Sequence, residues 1–223
     1  MKPFILLILL TISLNALSQT PKRFIKSFDP SGKLYNKHTG EKISDAAFNE
    51  YIKDNPRVTF DYEIDKFGEV SKYLLDTTSR TAARINSENK VAVGNKFPEF
   101  VFRSIDEKLI ASAALKGQWV ILKFELFLQM ADTQSYEEFN QKLTDLGDQH
   151  EIVTIICLME SESQVREAVS TDLSNIHLIP DASNFHIRYG ISSTPSLILI
   201  NPEGKVVDYY RKWSEIDLKN LTN

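Results

Sequence analysis

Polar and apolar positions divide the chain near residue 90. In the first part, Ile43-Ser44-Asp45 precedes AAFNEYIK, and Ala47, Phe48, Tyr51 and Ile52 share one helical face. That pattern predicts a short helix capped at Ser44 and stopped by Asp54-Asn55-Pro56. RVTFDYEID and EVSKYLLD then alternate with period two around Lys66-Phe67-Gly68, which predicts a β-hairpin. TTSRTAARINSENK is polar and patternless and reads as a linker.

After Val93 the texture changes. FVFRS and KLIAS form a short strand pair, and the turn Leu115-Lys116-Gly117 leads into QWVILKFELF, a near-continuous apolar run of the kind found in central parallel strands. Phe139, Leu143 and Leu146 recur at helical spacing over 135–146, with Ser135 and Glu138 set as a capping box. A strand over Ile152 to Met159 follows. A helix opened by Ser161 then runs to about Ser170, a short strand lies near His177 to Ile179, and a helix covers Ala182 to Tyr189. SLILIN, Pro202-Glu203-Gly204 and KVVDYYRKW make a closing hairpin, and 214–222 a last short helix. The alternation implies an α/β fold, a central mixed sheet flanked by helices, behind a small N-terminal α+β extension.

Lys2, the apolar run Phe4 to Leu14 and Ala16-Leu17-Ser18 have the order of a secretory signal peptide ending at residue 18. The run is short for a membrane span, which needs about 20 residues. The sequence therefore predicts an extracytoplasmic (periplasmic or secreted) protein, touching membrane only through a cleaved leader. The domains expected are 1–18 signal peptide, 19–90 extension and 91–223 main domain. With a net charge of −4 and no Lys/Arg run, nothing points to nucleic acid. Cys157 is the single cysteine, so no internal disulfide can form, and its place inside EIVTIICLM reads as a core position. His177 and His186 flank Asp181 at a spacing that matches no standard zinc pattern; they read as solvated loop histidines, with no metal or cofactor expected.

The junction FELFLQMADTQSYEEFNQKL carries the functional question, because strand-to-helix junctions of α/β folds are where ligands sit. VGNKFPEFVF, AALKGQWVILKF, EEFNQKL and YGISSTPSLILINPEGKVV occur in order over about residues 91–212. In them the chain resembles the thioredoxin-like redoxin superfamily, in particular its exported TlpA-like branch within AhpC/TSA. The resemblance implies a thioredoxin fold and, in its active members, a W-C-x-x-C motif opening the helix. Here the tryptophan position is Leu128 and the cysteine positions are Gln129 and Asp132, while the peroxidatic cysteine of peroxiredoxin relatives would fall near Thr133. Sulfur exchange needs a thiolate to attack and a thiolate to leave. An amide and a carboxylate can do neither.

What the resemblance leaves is a degenerate face. Asp132 reads as a helix cap, or as a carboxylate standing in for a thiolate. Lys123 and Glu125 stand where relatives hold a buried Asp or Asn and an aromatic residue, so this face is either open to solvent or carries a structural substitution. Pro195 matches the proline that relatives place after a cis bond, and Thr194 matches the residue whose backbone pairs with an extended peptide. The bland alternative is a proline that only fixes a turn. The leading expectation is a non-redox module binding an extracytoplasmic protein or peptide through Gln129, Asp132, Thr194 and Pro195, with no catalytic residue. The alternative is a thiol-disulfide oxidoreductase or peroxiredoxin-type enzyme acting through Cys157 or with a partner thiol. A third is that the N-terminal helix and hairpin are the functional element.

Overall fold

The computed structural model describes residues 29–56, 58–78, 89–146, 152–169, 173–194 and 196–221. The expected leader, most of the expected linker and Pro195 lie outside the described residues.

The N-terminal region is a three-stranded sheet with one helix. β1 (Leu34–Asn36), β2 (Phe60–Ile64) and β3 (Val70–Leu75) lie in the order β1-β3-β2, β1 parallel and β2 antiparallel to β3. The sequence pattern predicts the β2–β3 hairpin but not β1, whose three residues are too few to show a period. Helix α1 (Asp45–Asp54) begins where expected, the Ser44 hydroxyl accepting the Ala47 N–H at 3.2 Å. It has no fully buried residue, yet its Phe48 and Tyr51 close a small core of Leu34, Phe60, Tyr73 and Leu75.

The main domain opens with the hairpin β4 (Val101–Arg103) and β5 (Leu109–Ala111). Five strands then build the central sheet: β6 (Trp119–Glu125), β7 (Ile152–Leu158), β8 (Ile176–Ile179), β9 (Ser196–Ile200) and β10 (Val206–Tyr210). Their order is β10-β9-β6-β7-β8, with β6, β7 and β8 parallel and β9 antiparallel to both its neighbours. Helices α2 (Thr133–Asp145), α3 (Glu162–Ala168) and α4 (Ser183–Arg188) connect them. In α3 the Gln164 side chain accepts the Ser161 N–H at 3.1 Å, so Ser161 starts that helix as expected.

β6 is apolar on both sides because both sides are covered. Val120, Leu122 and Phe124 join Ile155, Cys157, Ile198 and Ile200 on one face, under Phe100, Phe102, Phe185 and Tyr189. Ile121 joins Ile156, Leu158, Leu197 and Leu199 on the other, under Tyr136 and Phe139 of α2, Val165 of α3 and Trp213. The last short helix expected over 214–222 is two 3-10 turns instead, Trp213–Glu215 and Leu218–Leu221. Local bonds favour the tighter turns. Glu215 accepts from the Arg211 and Lys212 N–H groups, and Asp217 from the Lys219 N–H.

The N-terminal sheet is fastened to α4. Asn184 donates to the Gly68 carbonyl at 2.7 Å, and Arg188 donates to the carbonyls of Ile64 and Glu99. Gly68, at φ 79°, lets the hairpin tip lie directly on the Phe185 ring.

Candidate functional site

β6 leaves the sheet at Glu125, and the chain passes through Leu126 and an exposed Phe127 into a 3-10 turn, Leu128–Met130, before α2 begins. Leu128 is buried in the α2-side core, and its N–H donates to Glu160 Oε1 at 2.6 Å, which ties the turn to the end of β7. Gln129, next along, is exposed. Asp132 is the N-cap of α2, its Oδ1 accepting the Ser135 N–H at 3.2 Å. The capping box expected at Ser135 does not form. Ser135 is already inside the helix and donates its hydroxyl to the Asp132 carbonyl, while Glu138 is engaged by Gln134. Asp132, three residues upstream, had the better geometry for satisfying the first free N–H groups.

The β6–β9 register pairs Phe124 with Ser196, so the segment before β9 arrives at the same end of the sheet as the 3-10 turn. Thr194 is half-buried there, and Ser192 and Ser193 are exposed. The fold thus carries Gln129, Asp132 and Thr194 to one end of the sheet. Pro195 is outside the described residues. The apolar cavity lined by Phe97, Phe100, Val120, Ile200 and Pro202 lies at the opposite end.

Directly behind the junction sits a group of residues that the sequence alone left open. Lys123 and Glu125 are buried, 4% and 5% exposed, and their side chains pair at 2.7 Å. The Tyr136 hydroxyl donates to the same Glu125 oxygen at 3.2 Å. The Lys123 ammonium also lies 4.5 Å from the Tyr136 ring centre and 4.8 Å from that of Trp213. Trp213 stacks on Phe139 at 4.1 Å, so the C-terminal segment roofs the pair. This face is therefore closed to solvent at the pair. The one signal in the sequence was two opposite charges, two residues apart, inside a run otherwise apolar on both faces.

Burial pulls the Lys123 ammonium below its ordinary pKa, and the hydrogen bond and charge of Glu125 pull it back up. Burial also pushes the Tyr136 phenol well above its usual range, with the charges of Glu125, Glu160 and Asp132 adding to it.

Cys157 is fully buried, and burial raises its thiol well above the ordinary value. It belongs to the face of the sheet opposite α2, beside Phe124 of β6 and in the same core as Tyr189. The histidines are not solvated loop residues. His186 is buried in α4, its Nδ1 3.0 Å from the Ala182 carbonyl and its ring edge-on to Phe124, and His177 is half-buried on β8. Burial lowers the pKa of both. Among the described residues, no three His, Cys, Asp or Glu side chains are grouped to hold a metal ion, and no helix is long and apolar enough to cross a membrane.

Residues 93–209 match the family model described as AhpC/TSA. No curated protein matches the chain. Among solved structures, the thioredoxin domain of a thiol-disulfide oxidoreductase from Bacteroides vulgatus is 17% identical. The match covers 60% of this chain and 100% of that one, with a TM-score of 0.52. The C-terminal domain of a candidate thiol-disulfide oxidoreductase from Bacteroides thetaiotaomicron is 18% identical, over 59% of this chain and 96% of that one, with a TM-score of 0.50. At such identity the likeness is one of fold. Because the family match runs from Val93 through nearly all of β10, over more than half of the sequence, the chain belongs to the AhpC/TSA family and carries a thioredoxin fold.

Proposed function

We propose that the protein is an exported, non-redox member of its family that binds an extended protein or peptide segment at the end of the sheet that carries Gln129, Asp132 and Thr194. The observation that carries this reading is chemical. Where thiol exchange needs two cysteines, the chain presents an exposed amide and a carboxylate engaged in capping α2. The remaining thiol is enclosed on the far face of the sheet, and burial suppresses the thiolate that exchange requires. Structural relatives named as thiol-disulfide oxidoreductases share the scaffold. The chain keeps its frame without its nucleophiles.

Binding needs less than catalysis. A backbone segment entering β9 at Thr194, with Pro195 after it, can offer strand-type hydrogen bonds to an extended chain without any sulfur. Exposed Phe127 supplies an apolar contact on the same rim. The Lys2 to Ser18 leader pattern supports export into a periplasmic or extracellular space, where the partner would be met.

The test is a pull-down from the extracytoplasmic fraction with the mature chain and with Thr194→Arg, together with an insulin-reduction assay. The expected result is capture that Thr194→Arg abolishes and no reduction above a Cys157→Ser control. Reduction that disappears in Cys157→Ser would establish the thiol-enzyme alternative. Capture that survives Thr194→Arg but is lost on deleting 19–90 would place function in the N-terminal region.

A further inference from the structure

The face of a binding module must be held in one shape, and here two glutamates hold it from two sides. Glu160 takes the Leu128 N–H, fixing the turn. Glu125 takes the Tyr136 hydroxyl, fixing the first turn of α2. Glu125 is in turn fixed by Lys123, whose ammonium fits a corner made by one carboxylate oxygen and two aromatic rings.

We propose that Lys123 and Glu125 are positioning residues, a buried polar lock that sets how the start of α2, and with it Asp132 and the turn bearing Gln129, sits on the end of the sheet. The proposal rests on the reading that this face binds a partner. Three observations support it. The two charges stand on adjacent same-face positions of β6, the strand that runs straight into the junction. Their contacts reach α2 at Tyr136, four residues after its cap, and the C-terminal segment at Trp213. The pair is closed to water, so its directional bonds are not traded for solvent ones. Apolar residues of the same volume would fill the space but impose no direction, and α2 could then turn or slide over Leu197 and Leu199. A buried ion pair stabilises little compared with an apolar replacement and is kept, in the best-attested cases, to specify one arrangement.

Amide hydrogen exchange on the full mature chain separates positioning from bulk stability. Tyr136→Phe removes only the hydroxyl and keeps the ring beneath Lys123. Lys123→Met/Glu125→Leu replaces the pair with apolar groups. In both variants the amides of residues 135–139 should exchange at least tenfold faster while those of Ile155 and Ile156 in β7 keep their wild-type rates, and the melting temperature of the double variant should stay above that of Lys123→Met alone. Unchanged exchange over 135–139, or an equal acceleration of α2 and β7, would overturn the proposal and leave the pair as ordinary core filling. If the double variant does not fold, Tyr136→Phe decides alone. The readout needs no partner. Should wild type show no Thr194-dependent capture, the binding reading fails while the exchange result still stands.

Discussion

Lys123 Nζ and Glu125 Oε1 stand 2.7 Å apart on one strand, with side chains only 5% and 7% exposed. Two charges this deeply buried are stable only as a pair. Lys123→Met leaves the Glu125 carboxylate without a cation in an apolar setting, and the cost should be about 3–5 kcal/mol. Adding Glu125→Leu removes that stranded charge, so the double variant should recover most of the loss, short of wild type by the roughly 1–3 kcal/mol that leaving the Tyr136 hydroxyl without its acceptor costs. Urea denaturation of the single and double variants gives the coupling directly. Two additive losses would show that the side chains act independently.

Cys157 gives a sign to the alkaline limb. Its thiol is raised by burial, so between the unfolded value of about 8.5 and the higher folded one the unfolded chain releases a proton that the folded chain keeps. Stability should therefore fall as pH rises past about 8.5, by about 1.4 kcal/mol per pH unit from this group. Cys157→Ala should lack that contribution. The same burial predicts that a maleimide or an aromatic disulfide reagent labels the native protein only after denaturant is added. Rapid native labelling at pH 8 would place the sulfur at the surface.

Asp76 gives the acid limb the opposite sign. His38, then the Thr78 N–H and hydroxyl, hold its carboxyl below the usual carboxylate range, with Lys37 assisting. The stability this contributes is present above the unfolded value of about 3.9 and is lost progressively as pH falls below it toward the lower folded value. Asp76→Asn should therefore lose less melting temperature than wild type on going from pH 5 to pH 2.5. Its partners Lys37 and His38 are open to solvent, so raised salt should shrink the difference.

Asp132 serves as a cap in the structure, and that role has a measurable size. Asp132→Ala removes the side-chain acceptor for the Ser135 N–H, leaving only the Asp132 carbonyl, and should cost about 0.5–2 kcal/mol, with Asp132→Asn and Asp132→Ser near wild type. Chemical denaturation checks the order. Comparable losses for all three would mean that the charge matters beyond the hydrogen bond.

The sheet was legible because its signals are local. The run Trp119 to Glu125 is apolar on both faces, the hairpin strands alternate, and Ser44 and Ser161 start their helices where they stand. The junction from β6 to α2 was legible too, as an apolar run giving way to helical spacing. What could not be read depends on distant partners. Whether Lys123 and Glu125 are closed off is decided by Trp213, which returns to cover them from the end of the chain. His186 lies in a helix of six residues, too short for its spacing to reveal which face is inward. β1 exists only because β3 offers it a parallel partner. The rival capping sites Asp132 and Ser135 lie one helical turn apart, and only backbone geometry separates them.

Gly68 ties the two regions together and can be tested alone. Its φ of 79° lies where a side chain is strained, and a Cβ there would come 2.7 Å from Cε2 of Phe185. Phe185 cannot easily give way, because its ring is buried and packed edge-on against Phe102 at 4.6 Å. Gly68→Ala should therefore cost about 2–4 kcal/mol, the left-handed backbone contributing about 1–2 and overpacking the rest. Gly32→Ala is the control. Its φ is 68° with nothing within 4 Å of the added carbon, so only the backbone part should appear. If the hairpin tip is seated on α4 as described, Gly68→Ala should also speed proteolysis of the β2–β3 segment, whereas Gly32→Ala should not. Equal losses for the two variants would mean that the tip does not rest on Phe185.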